Sequence, residues 1–414
     1  MLDQPAAVWL PLAALALVLG LLALGRLLGL RLAIWQIMLA GALVVLAGGA
    51  ISPAAAWEAV DWEVIGFLFG VFVLGQALVA SGWLYAASAR LLGRVASADG
   101  LVLAVLFGTG LASAVLMNDT LAVIGTPLAL RLAAAHGLPA MLLLLALAFG
   151  VTIGSTMSPI GNPQNLIIAL QGGMEQPFLD FLSYLGVPTL LNLLLAWAVL
   201  RIAFWRRFHG RALVHAAEQV REPHLARLAR LGLWLLVGAV GLRVGLAIAA
   251  PGLAFPLTLI AVTGALPLLL SRHGWGLIKG IDWQTLVFFA ALFVLMRSVW
   301  DTGVIQSLMP AQRLDLPLVL AGSVIGSQLI SNVPLVALAL PLLAGAETQL
   351  LLALAAGATV AGNLTLIGAA SNLIIAQSAE RRGAHLGFWT FLAVGAPLTA
   401  INLLVYWGWL RLTG

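Results

Sequence analysis

The chain has 414 residues, of which 62% are hydrophobic and only 8% are charged, and its net charge is +5. Apolar runs of about 20 residues recur along its length, which excludes a soluble domain and indicates a polytopic helical membrane protein. The basic residues lie between these runs, where the positive-inside rule places them, so the positive charge does not indicate a nucleic-acid partner.

Enzyme motifs are missing from the sequence. It has no G-x-x-x-x-G-K-[ST] phosphate loop, no H-E-x-x-H pair and no G-x-S-x-G nucleophile elbow. The six histidines are scattered and there is no cysteine, so no metal site of these ligands and no disulfide is predicted. We therefore expect neither an enzyme nor a bound cofactor, and Na⁺ or H⁺ is the expected coupling ion.

In the first half of the chain, residues 1–60 are predicted to form scaffold helices and residues 61–204 to form a first repeat. The predicted elements are helices over Ala6–Leu24, Ala33–Ile51 and Val64–Ala80, a hairpin over Leu101–Leu130 interrupted at Met117–Thr120, a broken helix around Gly154–Asn165, and a helix over Phe181–Ala203. Arginine placement puts the N-terminus outside and both hairpin ends in the cytoplasm. The hairpin should therefore be re-entrant, with its tip near the middle of the membrane.

A basic segment, residues 205–230, is the predicted cytoplasmic linker to the second half. Connecting helices in residues 231–281, a second repeat in residues 282–382 and a C-terminal helix in residues 383–414 follow. The predicted elements are helices over Leu231–Ile248 and Phe255–Leu270, an apolar helix after Trp283, a hairpin over Leu316–Leu343 broken at Ser331–Pro334, a broken helix over Gly357–Gln377, and a helix over Phe388–Leu410.

The two halves share an internal repeat. Residues 150–170, GVTIGSTMSPIGNPQNLIIAL, match residues 357–377, GATVAGNLTLIGAASNLIIAQ, and Asp61-Trp62 match Asp282-Trp283. Identical pairs include Gly150/Gly357, Thr152/Thr359, Ile160/Ile367, Gly161/Gly368 and Asn165/Asn372, and Asn118 aligns with Asn332. By arginine placement the first repeat enters from outside and the second from inside. We therefore predict an all-α polytopic fold of two inverted-topology repeats, each with a re-entrant hairpin and a broken transmembrane helix.

Helix breaks inside a membrane free backbone groups that lipid cannot satisfy, so they must line a hydrated cavity walled by protein. Paired breaks in two halves indicate a secondary transporter's binding site, where helix N-termini face an anion and freed carbonyls with Ser, Thr and Asn oxygens coordinate Na⁺. The predicted substrate- and ion-binding residues are Asn118, Asp119, Thr120, Ser155, Thr156, Asn162, Asn165, Ser331, Asn332, Asn363, Thr365, Ser371 and Asn372. Na⁺ is assigned to Asn118, Asp119, Asn332 and Asn363. For any one residue the alternative is an interhelical hydrogen bond that only stabilises packing.

Two of the charged side chains within the predicted membrane region are candidates for a role in transport. Asp119 could bind Na⁺, carry the coupling proton, or form a structural ion pair with Arg297, its candidate charge partner. Arg297 could attract an anionic substrate, snorkel to the interface, or pair with the nearby Asp301.

Four motifs carry a family resemblance: Asn118-Asp119-Thr120 with Pro127, Ser331-Asn332 with Pro341, residues 159–165 (PIGNPQN), and residues 362–368 (GNLTLIG) with Ser371-Asn372. With them the chain resembles the ion transporter superfamily of divalent anion/sodium symporters, arsenite permeases and NhaD-type sodium/proton antiporters. The symporters typically carry Ser-Asn-Thr at both hairpin tips, whereas the tips here are Met117-Asn118-Asp119 and Ser331-Asn332-Val333. The tips therefore look more like the arsenite-permease and antiporter branch. The resemblance implies a homodimer in which a transport domain moves like an elevator against a scaffold.

The sequence thus predicts a secondary active permease for a small inorganic or organic anion, multi-pass in the cell membrane and in contact with its lipid. A Na⁺/H⁺ antiporter that uses Asp119, or an efflux permease for arsenite or another metalloid oxyanion, is the alternative among transporters. An anion channel, or a sensor that binds an anion without moving it, is the alternative from a different class.

Overall fold

The protein is described here by a computed structural model, which covers residues 4–24, 32–84, 86–87, 95, 97–207, 221–249, 255–304, 314–366 and 368–413. Every regular element in these ranges is a helix, which confirms the predicted all-α class. Some residues used in the predictions lie outside the described ranges, namely Ile367, Arg26, Arg31, Arg90, Arg94 and residues 208–220 of the linker.

The described α-helices are numbered in chain order. They are α1 (Gln4–Leu24), α2 (Ile34–Ala47), α3 (Pro53–Ala59), α4 (Trp62–Ala80), α5 (Ala98–Leu116), α6 (Asn118–His136), α7 (Ala140–Ser155), α8 (Pro163–Gln171), α9 (Pro177–Ala203), α10 (Pro223–Ala249), α11 (Leu257–Leu269), α12 (Gly274–Gly280), α13 (Trp283–Trp300), α14 (Leu316–Ile330), α15 (Asn332–Ala339), α16 (Thr348–Val360), α17 (Ala370–Glu380) and α18 (Phe388–Thr413).

Both predicted hairpins turn at one residue with a positive backbone φ. Met117, at φ 65°, separates α5 from α6, and Ser331, at φ 73°, separates α14 from α15. These are the only non-glycine residues with positive φ in the part of the chain that the structure describes. Such a conformation costs on the order of 1–3 kcal/mol, so the packing around each tip must hold it. The turns fall at aligned positions, directly before Asn118 and Asn332.

Both predicted broken helices are also present. The first consists of α7 and α8, separated by residues 156–162 (the first break). The second consists of α16 and α17, separated by residues 361–369 (the second break), which begin with a short 3₁₀ turn over Ala361–Asn363. Each half of the chain therefore contains a hairpin followed by a broken helix, as its sequence pattern predicts.

The helices pack as two groups, in which the broken helices interlock the two halves. In the core group, α5 packs on α7 and α14 on α16, while α17 crosses to α6 and α8 to α15. In the frame group, α2 packs on α13, α4 on α11, and α11 on α10. Packing within each group is more extensive than packing between them.

Six described helices are long and apolar enough to cross a membrane: α4, α5, α9, α10, α13 and α18. Their outer surfaces carry exposed aliphatic side chains, such as Leu190 and Leu194 on α9 and Leu242 on α10. Since water would disfavour such surfaces, they fit contact with lipid tails.

Helix α10 begins at Pro223 rather than at the predicted Leu231. Leu225 and Ala229 are buried on one side of its first turns, while Arg227 is exposed on the other. This amphipathic extension lengthens the helix into the basic segment, because its apolar face has a surface to pack on.

Two short helices, α3 and α12, are additional to the predicted elements, and they too are repeated. Each precedes an aspartate that caps the next long helix: Asp61 Oδ1 accepts from the Val64 N–H (3.1 Å), and Asp282 Oδ1 accepts from the Thr285 N–H (3.1 Å). Each is only seven residues long, so its hydrophobic periodicity is too short to recognise from sequence.

Candidate functional site

The four interruptions of the chain meet in one buried region. The Asn118 N–H at the first hairpin tip donates to the Gly161 carbonyl in the first break, at 2.9 Å. In the second hairpin, Gln328 Nε2 donates to the Ala361 carbonyl in the second break, at 2.8 Å. Each hairpin is thereby fixed to the break of its own repeat.

Two carboxamides close the first break. Asn165 Nδ2 donates to the carbonyls of Ser155 and Ser158, both at 3.1 Å, and to that of Thr156 at 3.4 Å. Asn162 caps α8, since its Oδ1 accepts from the Asn165 N–H at 2.9 Å, and its Nδ2 donates to Ser155 Oγ at 3.0 Å. The groups freed by this break are largely satisfied by its own side chains.

The second break repeats half of this pattern. Asn372 Nδ2 donates to the carbonyls of Gly362 (2.6 Å) and Thr365 (3.5 Å), which align with Ser155 and Ser158. Asn165 and Asn372 therefore stabilise the two breaks through their amide nitrogens, which is the packing role that the sequence left open for such residues.

Thr359, near the end of α16, joins the second broken helix to the first break. Its hydroxyl donates to Asn165 Oδ1 at 3.3 Å and accepts from Asn162 Nδ2 at 3.2 Å and Gln164 Nε2 at 3.4 Å. The aligned residue, Thr152, packs near Gly362, but its buried hydroxyl has no hydrogen-bond partner. The hydroxyl of Thr359 therefore makes hydrogen bonds between the repeats, whereas the hydroxyl of its counterpart Thr152 makes none.

This difference predicts that replacing Thr359 or Thr152 by valine has unequal effects on stability. Thr359→Val is expected to lower the free energy of unfolding by about 1–3 kcal/mol, because it leaves buried amide groups unsatisfied. Thr152→Val removes a hydroxyl that has no partner, and is expected to be neutral or slightly stabilising. Thermal unfolding of the two detergent-solubilised variants measures the difference, and equal losses would contradict the asymmetry.

Buried oxygens without partners concentrate in the second repeat. Those among the predicted site residues are Asn332 Oδ1, Asn363 Oδ1, Ser371 Oγ and Asn372 Oδ1. The first-repeat counterparts are used: Asn118 Oδ1 accepts from the Asp119 N–H (2.9 Å), and Asn165 Oδ1 accepts from Thr359. An unmatched buried oxygen costs about 1–3 kcal/mol. Asn332 lies at the second hairpin tip, Asn363 in the second break, and Ser371 and Asn372 in the first turn of α17.

The N-terminus of α17 is also open. Asn162 caps α8 in the first repeat, but the aligned residue Ala369 makes no side-chain cap on α17. The first N–H groups of α17 therefore remain available beside Ser371, whose side chain is completely buried. Such N–H groups, with the positive end of the helix dipole, favour an anion.

Helices α6 and α17 have their N-terminal ends on the same side of the protein. They pack together, and Arg131 near the end of α6 and Arg382 just after α17 line one crevice, so the helices run parallel. Their N-terminal ends, near Asp119 and Ser371, therefore also lie on the same side. Asp119 is half-buried and forms no ion pair within the described ranges, and Asp282 adds to the negative charge around it.

Arg297 does not pair with Asp119 in the structure. It is exposed in the last turn of α13, and its Nε lies 2.9 Å from Asp301 Oδ1, four residues on. Of the three roles considered for it, the geometry realises the Asp301 pair. Thr120 packs against Gly75 of α4, so its side chain faces the frame group.

Several residues of this region are not among those predicted from the sequence. Gln328 accepts from Thr365 Oγ1 at 2.6 Å, and Asn402 on α18 accepts from Asn363 Nδ2 at 3.0 Å. A signal for Asn402 exists, because Thr189-x-x-Asn192 on α9 repeats as Thr399-x-x-Asn402 on α18. This repeated pattern makes α18 the counterpart of α9.

Comparison with known proteins identifies a family for most of the chain. The family model described as CitMHS, citrate transporter, matches residues 19–350. An uncharacterized transporter of Mycobacterium tuberculosis is 30% identical over 380 residues, covering 85% of this chain and 86% of that protein. The silicon efflux transporter LSI3 of Oryza sativa subsp. japonica is 29% identical over 434 residues, covering 88% of this chain and 89% of that protein.

A solved structure is similar in fold. The YdaH transporter of Alcanivorax borkumensis, described as having an unusual topology, superposes with a TM-score of 0.56 at 17% identity. The superposition covers 84% of this chain and 83% of that one. The helical architecture therefore resembles that of a known membrane transporter.

Proposed function

Because the chain belongs to the citrate transporter family, and is thus a multi-pass membrane transporter, we propose that it moves a small anion by secondary active transport coupled to Na⁺ or H⁺. One observation carries this proposal: the second repeat holds an uncapped helix N-terminus with the buried, unpartnered hydroxyl of Ser371, together with unpartnered buried oxygens on Asn332, Asn363 and Asn372. The α17 N–H groups and Ser371 would bind the anion, and the oxygens of Asn332, Asn363 and Asn372 would bind the cation.

Asp119 supplies a physical reason for coupling. An anion at the N-terminus of α17 lies on the side of the Asp119 carboxylate, and two unit negative charges 4 Å apart repel by about 4 kcal/mol at an effective dielectric constant near 20. A bound Na⁺, or a proton on Asp119, removes that repulsion. Anion and cation would therefore bind best together, which makes the transport symport.

The two packing groups suggest how the site changes sides. The core group contains both breaks and both hairpins, and it is joined less extensively to the frame group than it is within itself. We infer that the core group moves like an elevator against the frame group, and that the frame group forms a homodimer. The protein would lie in the cell membrane with its N-terminus outside and the basic linker in the cytoplasm.

A second candidate is a Na⁺/H⁺ antiporter, favoured by the absence of an ion pair on Asp119 within the described ranges. In that case Asp119 would bind Na⁺ and H⁺ in turn. The similarity to a silicon efflux transporter over 88% of the chain favours a third, an efflux permease for arsenite or another metalloid oxyanion.

Thermal stability of the purified protein tests these candidates. Succinate, citrate, sulfate, phosphate and arsenite would each be added with and without Na⁺, and at two pH values. A ligand at a hundred times its Kd stabilises the folded state by about 2.7 kcal/mol. We expect one class of anion to raise the melting temperature, and Na⁺ or lower pH to enlarge that shift. If Na⁺ or pH alone changes the melting temperature and none of the anions does, the proposal is overturned and the antiporter is favoured.

Matched variants locate the effect. Ser371→Ala is expected to lower the apparent affinity for the anion, measured from the shift in melting temperature, at least tenfold. The reason is that it removes a buried hydroxyl that has no other partner. Ser113→Ala is the control, since Ser113 is equally buried but donates to Gly110 in its own helix. If the anion shifts the melting temperatures of the two variants equally, the anion does not bind at α17. Saturable counterflow of the labelled anion in proteoliposomes would then separate a transporter from a channel or a sensor.

A further inference from the structure

Three arginines from separate parts of the chain line one crevice. Arg131 lies near the end of α6, Arg221 just before α10, and Arg382 just after α17. The crevice has a volume of about 610 Å³, and the other described residues that line it are aliphatic, such as Leu130 and Leu138. All three arginines are exposed and lie on the side predicted to be cytoplasmic.

Backbone and neighbouring side chains hold two of these arginines, Arg221 and Arg382, in place. The Arg221 N–H donates to the Ser81 carbonyl at 3.0 Å. Arg382 Nη1 donates to the carbonyl and the hydroxyl of Ser378, both at 2.8 Å. The nearest acids in sequence, Glu222 and Glu380, do not line the crevice, and Glu380 faces His385 at 3.6 Å. The crevice is therefore a positively charged space suited to a phosphate-type anion.

An apolar cavity lies on the neighbouring face of α6. It has a volume of about 390 Å³ and is bounded by Leu121 and Leu128 of α6, Trp83 beyond the end of α4, and Trp234 of α10. Among the described wall residues, Thr109 carries a hydroxyl, and it donates to the Val105 carbonyl within its own helix. The described lining is predominantly apolar, with the indole rings of Trp83 and Trp234 at its edge, and an aliphatic chain fits it.

The two spaces are close together. Ser81, which holds the Arg221 backbone, is two residues before Trp83 in the wall of the apolar cavity, and α6 lines both spaces. We propose that they bind one anionic phospholipid, with its phosphate among the three arginines and an acyl chain in the cavity. Basic pockets between helices on the cytoplasmic side are suited to lipid head groups, and each buried CH₂ contributes about 0.8 kcal/mol.

The position gives this lipid a mechanical consequence. Arg131 and Arg382 belong to elements of the core group, whereas Arg221 and Trp234 belong to the frame group. One lipid would therefore touch both groups, and would hold them in the relative position seen here. This assignment does not depend on which solute is transported, because it concerns lipid binding alone.

Native mass spectrometry of the full-length protein tests the proposal, with phosphatidylglycerol and phosphatidylcholine as probes. The double variant Arg221→Gln/Arg382→Gln is expected to retain phosphatidylglycerol at least tenfold less well than the wild type, with phosphatidylcholine unchanged. The matched control is Arg227→Gln/Arg230→Gln, which removes the same charge from exposed sites on α10 outside the crevice. Equal retention by the two double variants would overturn the assignment.

A second arm separates a lipid from a free anion. Ala112→Phe fills the apolar cavity without altering an arginine, and it is expected to weaken phosphatidylglycerol retention as well. Any stabilisation of the wild type by inorganic phosphate alone should be unchanged in Arg221→Gln/Arg382→Gln. If the double variant loses a phosphate-induced stabilisation, and Ala112→Phe retains the lipid fully, the crevice binds a soluble anion and the lipid proposal fails.

Discussion

The Ala369→Asn variant is expected to be more stable than the wild-type protein and to lose most of its anion binding. An asparagine at this position would cap α17 as Asn162 caps α8, with its Oδ1 accepting from the Asn372 N–H. A new cap contributes about 1 kcal/mol of stability. The same bond removes a backbone donor from the anion, so we expect apparent affinity to fall at least tenfold, which corresponds to about 1.4 kcal/mol.

The local geometry permits this substitution. Ala369 already has the extended backbone of a cap residue, with φ −142° and ψ 147°. Gly362 stands opposite it, at the position where the first repeat has Ser155 opposite Asn162. The larger side chain would therefore face a residue without a side chain.

A neighbouring substitution is the control for Ala369→Asn. Ala370→Asn introduces the same side chain one residue later, at an exposed position within the first turn of α17, where it cannot serve as the cap residue. Melting temperatures with and without the anion should match those of the wild type. If Ala369→Asn raises the melting temperature and yet keeps the full anion-dependent shift, the anion does not bind at this helix end.

Much of the fold follows from the sequence because bilayer physics constrains it strongly. A membrane allows few places for freed backbone groups, so the hairpin turns at Met117 and Ser331 and the two breaks are visible in the sequence as departures from apolar helix. The repeat makes each one more certain, since every feature occurs twice. The start of α10 and the short helices α3 and α12 are not predictable in this way, because they depend on tertiary packing of a few residues at the surface.

The candidate site is predicted less completely, and Asn165 and Asn372 show why. They occupy aligned positions in nearly identical motifs, yet Asn165 is fully bonded and Asn372 keeps a free oxygen. The difference arises from Thr359, nearly two hundred residues from Asn165, and sequence spacing carries no information about that contact. The alignment of the two repeats shows that Ala369 stands where the first repeat has Asn162. It becomes clear that a helix cap is lost there only when the structure shows that α17 begins at Ala370.

Replacing Asp119 by Asn is expected to abolish the ion dependence of anion binding. Asparagine has nearly the same shape but no charge, so the repulsion that a cation or proton must remove is absent. In the wild type, anion affinity should rise at least tenfold on adding Na⁺, or as pH falls and Asp119 takes up a proton. In Asp119→Asn, affinity should equal the high wild-type value under all of these conditions. The readout is the anion-induced change in melting temperature, measured across Na⁺ concentration and pH.

Asp99→Asn is the matched control, because Asp99 is an aspartate at a helix end that already pairs with Arg201 at 2.7 Å. It should keep the ion dependence of the wild type. Unaltered ion dependence in Asp119→Asn would remove this carboxylate from the coupling and leave only the second-repeat oxygens as cation ligands. If instead the wild type responds to Na⁺ and pH without any anion, and Asp119→Asn loses both responses, then Asp119 is the ion carrier itself and the protein exchanges Na⁺ for H⁺.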